Sequence, residues 1–366
     1  MDITLLSRIT FVVPTYNRQN YALRLMEFWD NKGPRIIVLD GSDEPISSLE
    51  LSQFGSAIRY LHRPVGVYQR LRESLDLVQT EFVAYAGDDE FYIPSSVEDC
   101  ISELDSDPTL VACCGRALSF QTHNRQVFGQ FVYPKLAGYL IDSSNAGGRV
   151  VDHMRCYVPS LIYAVCRAPQ WKCVWKHTLH KEFNFFAAGE LQFEMGMAFA
   201  GRSKVISSLM WLRSKENQPI RDTDPSYDDS KTFLSWWSEI GNKDDHEEFI
   251  SVMSRCFHEL LPDEGPIPRV FVLAGLQAYL DFYLEFRRLR KNKLRKWIVN
   301  ALPEFSKPIF KRLVNHFLPG KLSYHTELLH SAKCLEGLGV SVDFLALEEI
   351  QKTIIQFHEN RSSVGF

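Results

Sequence analysis

The sequence of 366 residues lacks paired cysteines, a long apolar run and an excess of basic charge. Its eight cysteines are scattered and no CxxC pair occurs, so we expect reduced thiols, no disulfide framework and no zinc site. The formal net charge of −4 argues against a protein that binds nucleic acid through its overall charge. The longest uncharged apolar stretches, 156–166 and 270–280, are shorter than the roughly 20 residues that cross a bilayer.

The first residues also lack the features of a secretion signal. Met1-Asp2-Ile3-Thr4 contains neither the basic region nor the apolar core that such a signal needs. The expected location is therefore cytoplasmic, with peripheral attachment to the inner face of a membrane as the alternative.

Short apolar runs alternate with amphipathic segments through the first 115 residues. Between the runs, apolar residues recur three and four positions apart, which predicts helices. Ser95 and Glu98 are expected to form a capping box at the start of one of them. Since the runs are apolar on both faces, we expect an α/β fold, Rossmann-like, with a mostly parallel sheet. The runs that predict strands are 9–13, 36–39, 58–61, 82–86 and 110–114.

The pattern changes twice along the chain. We interpret 1–220 as one domain, in which the less regular half 116–220 holds a second substrate. Residues 216–247 turn polar, which predicts loops at a domain boundary. From 246 to 366 the pattern is helical, so a helical C-terminal domain is expected.

Polar residues gather at three predicted strand ends. Thr15 follows the first strand, Asp40 ends the second, and Asp88-Asp89-Glu90 follows the fourth. Because ligands bind at the carboxyl ends of parallel strands, we expect these residues to line one site. Three adjacent carboxylates repel one another unless a cation or exposure to water relieves the repulsion.

Three interpretations of the acidic turn remain open. In an extended chain Asp88 and Glu90 would point to the same side and bind one Mg²⁺ or Mn²⁺, which favour oxygen ligands. The alternatives are an ion held through water by Asp89 alone, or a turn of solvated acids without an ion.

Four segments together resemble the GT-A glycosyltransferases, especially the inverting enzymes of family 2. Phe11–Arg18, with the run Pro-Thr-Tyr-Asn-Arg, is similar to the first strand and turn of that group. Ile37–Ser42 resembles its second strand, and Gly66–Arg70 its loop and helix before the metal strand. Tyr85–Glu90 resembles its DxD motif, with glutamate in place of the final aspartate. The resemblance covers roughly 8–115 and extends more weakly to about 215.

The resemblance implies a GT-A catalytic domain whose first half, 1–115, binds a nucleotide sugar and whose second half binds the acceptor. It implies transfer of the sugar to a glycan or lipid-linked acceptor, with Mn²⁺ or Mg²⁺ held by Asp88, Asp89 and Glu90. Assembly of surface polysaccharide is the biological setting that it suggests. The donor-binding residues that we predict on this basis are Pro14, Thr15, Tyr16, Asn17, Arg18, Asp40, Gly66 and Asp88.

An inverting transferase needs a general base that takes the proton of the attacking acceptor hydroxyl. In the family this base is an acidic residue at the start of a helix after the sheet. Glu190 is the candidate here, and Glu194, on the same helical face, is the rival. The alternative for Glu190 is a helix-terminal acid that only stabilises the helix dipole.

Arginines are the candidates for neutralising the diphosphate leaving group. Arg70 precedes the strand of the acidic turn, and Arg213 follows the helix of the presumed base. The alternative for each is an ordinary structural arginine. The histidines at 153, 177 and 180 have no sequence neighbour at metal-ligand spacing, so we interpret them as structural.

A basic amphipathic stretch lies near the C-terminus. Between Phe286 and Lys321 there are 11 lysines or arginines against one acid, interleaved with apolar residues. Such a stretch can lie on an anionic membrane surface, which would suit a lipid-linked acceptor. A solvated basic face or a protein partner is the alternative. No RNA-binding or DNA-binding module accompanies the charge, so nucleic acid is not an expected partner.

Two other functions compete with glycosyl transfer. Nucleotidylyltransferases on a related fold open with a glycine-rich loop, whereas this chain has Pro14–Arg18 at that position. The second competing hypothesis is a non-catalytic scaffold that binds glycan or lipid, and Glu190 with the intact acidic turn argues against it.

Overall fold

The computed structural model describes residues 4–183, 185, 187–217, 232–262, 268–290 and 326–363. The basic stretch at 286–321 falls outside the described residues, apart from the helical backbone of its first five positions. The predicted binding of this stretch to a membrane surface or a protein partner stays a prediction. In the described part of the chain, no helix combines the length and the apolar character needed to span a membrane.

The described strands form one sheet, in the spatial order β3-β2-β1-β4-β9-β6-β10-β5, with β7 beside β6 and β8 beside β10. The strands are β1 (Ile9–Thr15), β2 (Arg35–Asp40), β3 (Ile58–His62), β4 (Phe82–Tyr85), β5 (Phe91–Tyr92), β6 (Leu110–His123), β7 (Gln126–Phe131), β8 (Leu140–Ile141), β9 (Val165–Arg167) and β10 (Arg202–Ser214).

Most of the sheet points in one direction. β1 pairs in parallel with β2 and β4, β2 with β3, and β6 with β10. The short β9 lies antiparallel between β4 and β6, so those two longer strands share the direction of β1. All seven residues of β1 are buried, as expected for a central strand that is covered on both faces. The predicted α/β fold with a mostly parallel sheet is confirmed.

Helices cover the sheet and continue to the C-terminal end of the described chain. They are α1 (Gln19–Trp29), α2 (Ser48–Leu51), α3 (Val67–Ser74), α4 (Pro94–Ser106), α5 (Ala146–Arg155), α6 (Ala168–Thr178), α7 (Ala187–Ala200), α8 (Phe233–Ser238), α9 (Lys243–Leu260), α10 (Pro268–Arg290), α11 (Leu328–Glu336) and α12 (Phe344–Ser363). Short 3₁₀ turns lie at Leu5–Arg8, Pro134–Leu136 and Ile240–Asn242.

The start of α4 differs from the prediction. Its N-cap is Ile93, Pro94 occupies the first helical position, and no side chain caps the helix. The predicted capping box is therefore wrong. Proline pre-forms the first helical turn without needing a hydrogen-bond partner for its nitrogen. The Ser95 hydroxyl instead donates a 2.8 Å hydrogen bond to Asp343, at the start of α12.

The helical C-terminal region packs against the sheet domain. Gly129 of β7 donates a backbone hydrogen bond to Thr326 and accepts one from the hydroxyl of Ser331 in α11. In α12, the ring of Phe357 lies 4.9 Å from that of Tyr21 in α1. Buried residues of α11 and α12 belong to the same hydrophobic core as the sheet. The predicted helical region is present, and it shares its hydrophobic core with the sheet.

Candidate functional site

The acidic segment after β4 forms a tight turn at the carboxyl edge of the parallel strands. The backbone N–H of Glu90 donates a 3.3 Å hydrogen bond to the carbonyl of Gly87. A side chain at Gly87 would place its Cβ 3.0 Å from the Glu90 side chain, so a glycine suits this position. The extended conformation that we predicted for these acids is wrong, because the turn separates the carboxylate of Glu90 from those of Asp88 and Asp89.

Asp88 connects the turn to the end of β1. Its Oδ2 accepts a 2.7 Å hydrogen bond from the hydroxyl of Thr15. The guanidinium of Arg18 lies 3.7 Å from Asp88 and 4.0 Å from Asp89. Burial and the neighbouring charge of Asp89 raise the pKa of Asp88 to about 7, although Arg18 opposes the shift. The predicted meeting of the first and fourth strand ends is present in the structure.

Glu90 points away from its two acidic neighbours and toward Trp211. The stacked rings of Trp211, Tyr163 and Tyr133 form what we call the aromatic wall. The Oε2 of Glu90 accepts a 2.9 Å hydrogen bond from the indole nitrogen of Trp211 in β10. The Trp211 ring stacks between Tyr163, at 4.0 Å, and Tyr133, at 5.4 Å. Burial and the charge of Asp89 raise the pKa of Glu90 to about 8. A flat aromatic surface therefore adjoins the acidic turn.

Glu190 lies in the first turn of α7 and faces the same aromatic wall. Its carboxylate accepts a hydrogen bond from the hydroxyl of Tyr157. Burial raises the pKa of the Tyr163 hydroxyl, and the charges of Glu90 and Glu190 both add to this effect. Burial alone would lower the pKa of Arg213, but nearby tyrosines and the same two carboxylates raise it. Arg213 therefore lies in the field of both acids.

Glu194, the rival base, is fully buried one turn further along α7. It accepts a 2.7 Å hydrogen bond from His153 and backbone hydrogen bonds from Leu161 and Ile162. These contacts tie α7 to α5 and to the loop before β9. They favour a structural role for Glu194 and for His153.

Asp40, at the end of β2, is fully buried and accepts hydrogen bonds from three neighbours. These are Gln19 at 2.6 Å, the Tyr60 hydroxyl at 2.5 Å and the Ser42 backbone at 2.8 Å. Burial alone would raise the pKa of Asp40, but these hydrogen bonds hold it below its ordinary value. The carboxylate thus fixes the loop that follows β2.

Arg70 in α3 is buried against backbone carbonyls. Its guanidinium donates to Thr15, Leu39 and Val65 at 2.6, 2.5 and 3.0 Å. A Cβ on Gly41 would lie 2.5 Å from this guanidinium, which explains the glycine after Asp40 at the second strand end. Arg70 therefore holds the ends of β1 and β2 together, and these contacts favour a structural role over direct binding of phosphate.

The residues of the turn after β1 differ in how far their side chains are exposed to solvent. Pro14 lies opposite Leu39 in the sheet, whereas the side chain of Tyr16 is 41% exposed at the rim. Asn17 adopts a left-handed conformation with φ of 55°, and its N–H donates to the Ser42 hydroxyl. Gly66 is the exposed residue that precedes α3.

The sequence interpretation missed a buried ion pair behind the acidic turn. Arg24 lies 2.8 Å from Glu216 and donates a 3.0 Å hydrogen bond to the backbone carbonyl of Asp89. Asn217 donates to the Asp89 side chain at 2.8 Å, and His358 lies 2.5 Å from Glu216. Glu216 and Asn217 belong to the polar stretch that we interpreted as a boundary loop. An arginine on the apolar face of the predicted helix α1 was the available signal.

The donor set of the turn fits a hard divalent cation through two of its three acids. The carboxylates of Asp88 and Asp89 approach the same guanidinium, and burial together with the charge of Asp89 raises the pKa of Asp88. Carboxylate oxygens are the ligands that Mg²⁺ and Mn²⁺ prefer. Among the described residues, the three acids do not bring one oxygen each within 4.8 Å of one another, since Glu90 points to Trp211.

The chain matches a known protein family in sequence and is similar to solved structures in fold. The family model described as Glycosyl transferase family 2 matches residues 10–207. No curated protein sequence matches the chain significantly. The structure is similar to that of S. aureus TarS 1–349, with 11% identity, a TM-score of 0.43 and coverage of 77% of this chain and 91% of that one. For TarS 1–349 in complex with UDP-GlcNAc, the identity is 12% and the TM-score 0.44, and the match covers 77% of this chain and 92% of that one.

Proposed function

The chain belongs to glycosyl transferase family 2 and is a glycosyltransferase, and we propose here which substrates and residues carry its reaction. The donor is a nucleotide sugar, the acceptor is a glycan or a lipid-linked glycan, and the anomeric carbon is inverted. The observation that carries this proposal is the placement of the Asp88–Glu90 turn and Glu190 around one aromatic wall.

The donor lies along the carboxyl edge of β1, β2 and β4. Tyr16 presents an exposed ring on which a nucleobase can stack, and Asn17 and Gly66 flank the same edge. Asp40 and Arg70 act on the donor through the loops that they fix, because both side chains are buried and engaged with the protein.

Asp88 and Asp89 are the residues that would hold Mg²⁺ or Mn²⁺. A bound ion would neutralise the charge that develops on the departing diphosphate. Arg18 and Arg213 supply further positive charge from two sides of the turn. Glu90 fixes the buried indole of Trp211, and the partly exposed rings of Tyr133 and Tyr163 that stack on it are the sugar-facing aromatic surface in this proposal.

Glu190 is the proposed general base. It takes the proton of the acceptor hydroxyl as the oxygen attacks the anomeric carbon and the bond from that carbon to the diphosphate breaks. The hydrogen bond from Tyr157 fixes the orientation of the carboxylate. The partly exposed position of Glu190 admits an acceptor, whereas Glu194 is sealed from solvent.

A screen of nucleotide sugars for thermal stabilisation, with and without Mn²⁺, tests the donor and the metal together. We expect at least one nucleotide sugar to raise the melting temperature, with a larger increase when Mn²⁺ is present. Asp89→Asn should remove the increase due to Mn²⁺, and Asp43→Asn, an exposed acid nearby, should retain it. Absence of stabilisation by any nucleotide sugar with Mn²⁺ would refute the donor assignment. The anomeric configuration of the product, read by NMR, decides between inversion and retention.

A further inference from the structure

A second cluster of ligand-type side chains lies outside the candidate active site, between α6 and α9. Cys173 and His177 are four residues apart on α6, and Cys256 and Glu259 are three apart on α9. One ligand atom each from Cys173, His177 and Glu259 lies within 4.8 Å of the other two. The Cys256 thiol adjoins that of Cys173 but lies outside this group of three, so its side chain must rotate for it to act as a fourth donor.

The spacing on each helix brings both donors to one face. Residues three or four apart are neighbours on a helix surface, so both donor residues of each helix face the space between α6 and α9. Tetrahedral zinc ligands, at 2.0–2.3 Å from the ion, lie roughly 3.3–3.8 Å from one another. The existing hydrogen bond between His177 Nε2 and Glu259 is 2.8 Å long, so binding an ion requires only a small opening at that pair.

The cluster is buried on one side and accessible on the other. Cys256 is fully buried and Cys173 is half-buried. The His177 side chain is 16% exposed and that of Glu259 43%. An ion can therefore enter from solvent while the thiols stay enclosed by the packed helices.

We propose that Cys173, His177, Cys256 and Glu259 bind one Zn²⁺ that fastens α6 to α9. Two thiolates, an imidazole and a carboxylate form a donor set that selects zinc over Mg²⁺ or Mn²⁺. With the Cys256 side chain rotated toward the ion, the protein would supply all four positions of a tetrahedron, which is the arrangement of a structural zinc site. This departs from our expectation of no zinc site, which rested on the absence of a CxxC pair.

A disulfide between Cys173 and Cys256 is the competing interpretation of the two thiols. Both cysteines are reduced in the structure. A disulfide would leave the convergence of His177 and Glu259 on the same point without a function, whereas a zinc site uses all four side chains.

The first test is the zinc content of the purified protein after incubation with Zn²⁺ and removal of the excess. We expect one zinc per chain by elemental mass spectrometry, in keeping with a tetrahedral four-ligand site. The double variant Cys173→Ser/His177→Gln should lose it, and Cys156→Ser, which changes an exposed cysteine, should keep it. Asp89→Asn should also keep the zinc, which separates this site from the acidic turn. Equal zinc content in the double variant and the native protein would overturn the proposal.

The second test uses the native sequence, so it stands even if the double variant does not fold. Alkylation of Cys173, mapped by mass spectrometry, should slow by about tenfold with Zn²⁺ and recover with a chelator, because a coordinated thiolate is a poor nucleophile. Alkylation at the same rate with and without Zn²⁺ would contradict the proposal. A Cys173–Cys256 disulfide in a protein that retains no zinc would replace it with the redox alternative.

Discussion

Arg24 and Glu216 form a 2.8 Å salt bridge in which both side chains are at least 98% buried. The other nitrogen of the Arg24 guanidinium donates to the backbone carbonyl of Asp89, and Glu216 also contacts His358 in α12. Burial alone would raise the pKa of Glu216, but His358 and Arg24 hold it below its ordinary value. The acidic turn is therefore supported by an ion pair that also reaches the C-terminal helix.

Replacing Arg24 should destabilise the protein strongly. Arg24→Met leaves Glu216 buried without its arginine, and the loss of one partner from a buried pair costs about 3–5 kcal/mol. Urea denaturation measures the change in the free energy of unfolding. The matched control is Arg63→Met, whose salt bridge with Glu73 is exposed and is worth roughly 0–1 kcal/mol. Equal effects of the two substitutions would contradict a supporting role for the buried pair.

Replacing Glu190 should impair the chemical step more than donor binding. Glu190→Gln keeps the shape of the side chain but removes its basicity, so kcat should fall by about 10²–10⁴-fold. The stabilisation by the nucleotide sugar should stay the same. Asp244→Asn is the control, because Asp244 is an exposed acid in the first turn of α9. Near-normal turnover in Glu190→Gln would reject its assignment as the base.

Replacing Glu194 should have the opposite effect. In Glu194→Gln the new amide group cannot accept hydrogen bonds from His153 and from both backbone N–H groups, so stability should fall by about 1–3 kcal/mol. The kcat of the folded protein should change little. Calorimetry combined with steady-state rates separates the two quantities, and Glu348→Gln on the exposed face of α12 is the control. A large loss of kcat at unchanged stability would make Glu194 the base.

Asp40 should contribute to the loss of stability in acid. Its folded pKa lies below the ordinary value of 3.8, so its contribution is present above that pH and is lost as the pH falls through the folded pKa. Asp40→Asn should therefore show a smaller difference in unfolding free energy between pH 6 and pH 3 than the native protein. Asp43→Asn, at an exposed position, should match the native protein. An unchanged pH dependence in Asp40→Asn would show that this carboxylate titrates normally.

Several features of the protein followed from local sequence patterns. The apolar runs at 9–13, 36–39, 58–61 and 82–86 each lie within or overlap an observed strand, because the pattern that buries a strand repeats along its own residues. The parallel direction followed from their apolar character on both faces. The order of these strands with Asp88 and Asp89 was also sufficient to indicate the family.

The sequence alone determined the fold class, the family and the position of the acidic turn at a strand end, because each depends on residues that are neighbours in the chain. Only the tertiary structure decided which side chains meet. Arg24 and Glu216 are separated by 192 positions, and the thiols of Cys173 and Cys256 lie on different helices. The turn at Asp88 likewise directs its carboxylates to partners on β1 and β10. Such pairings depend on how whole elements pack, which no local periodicity encodes.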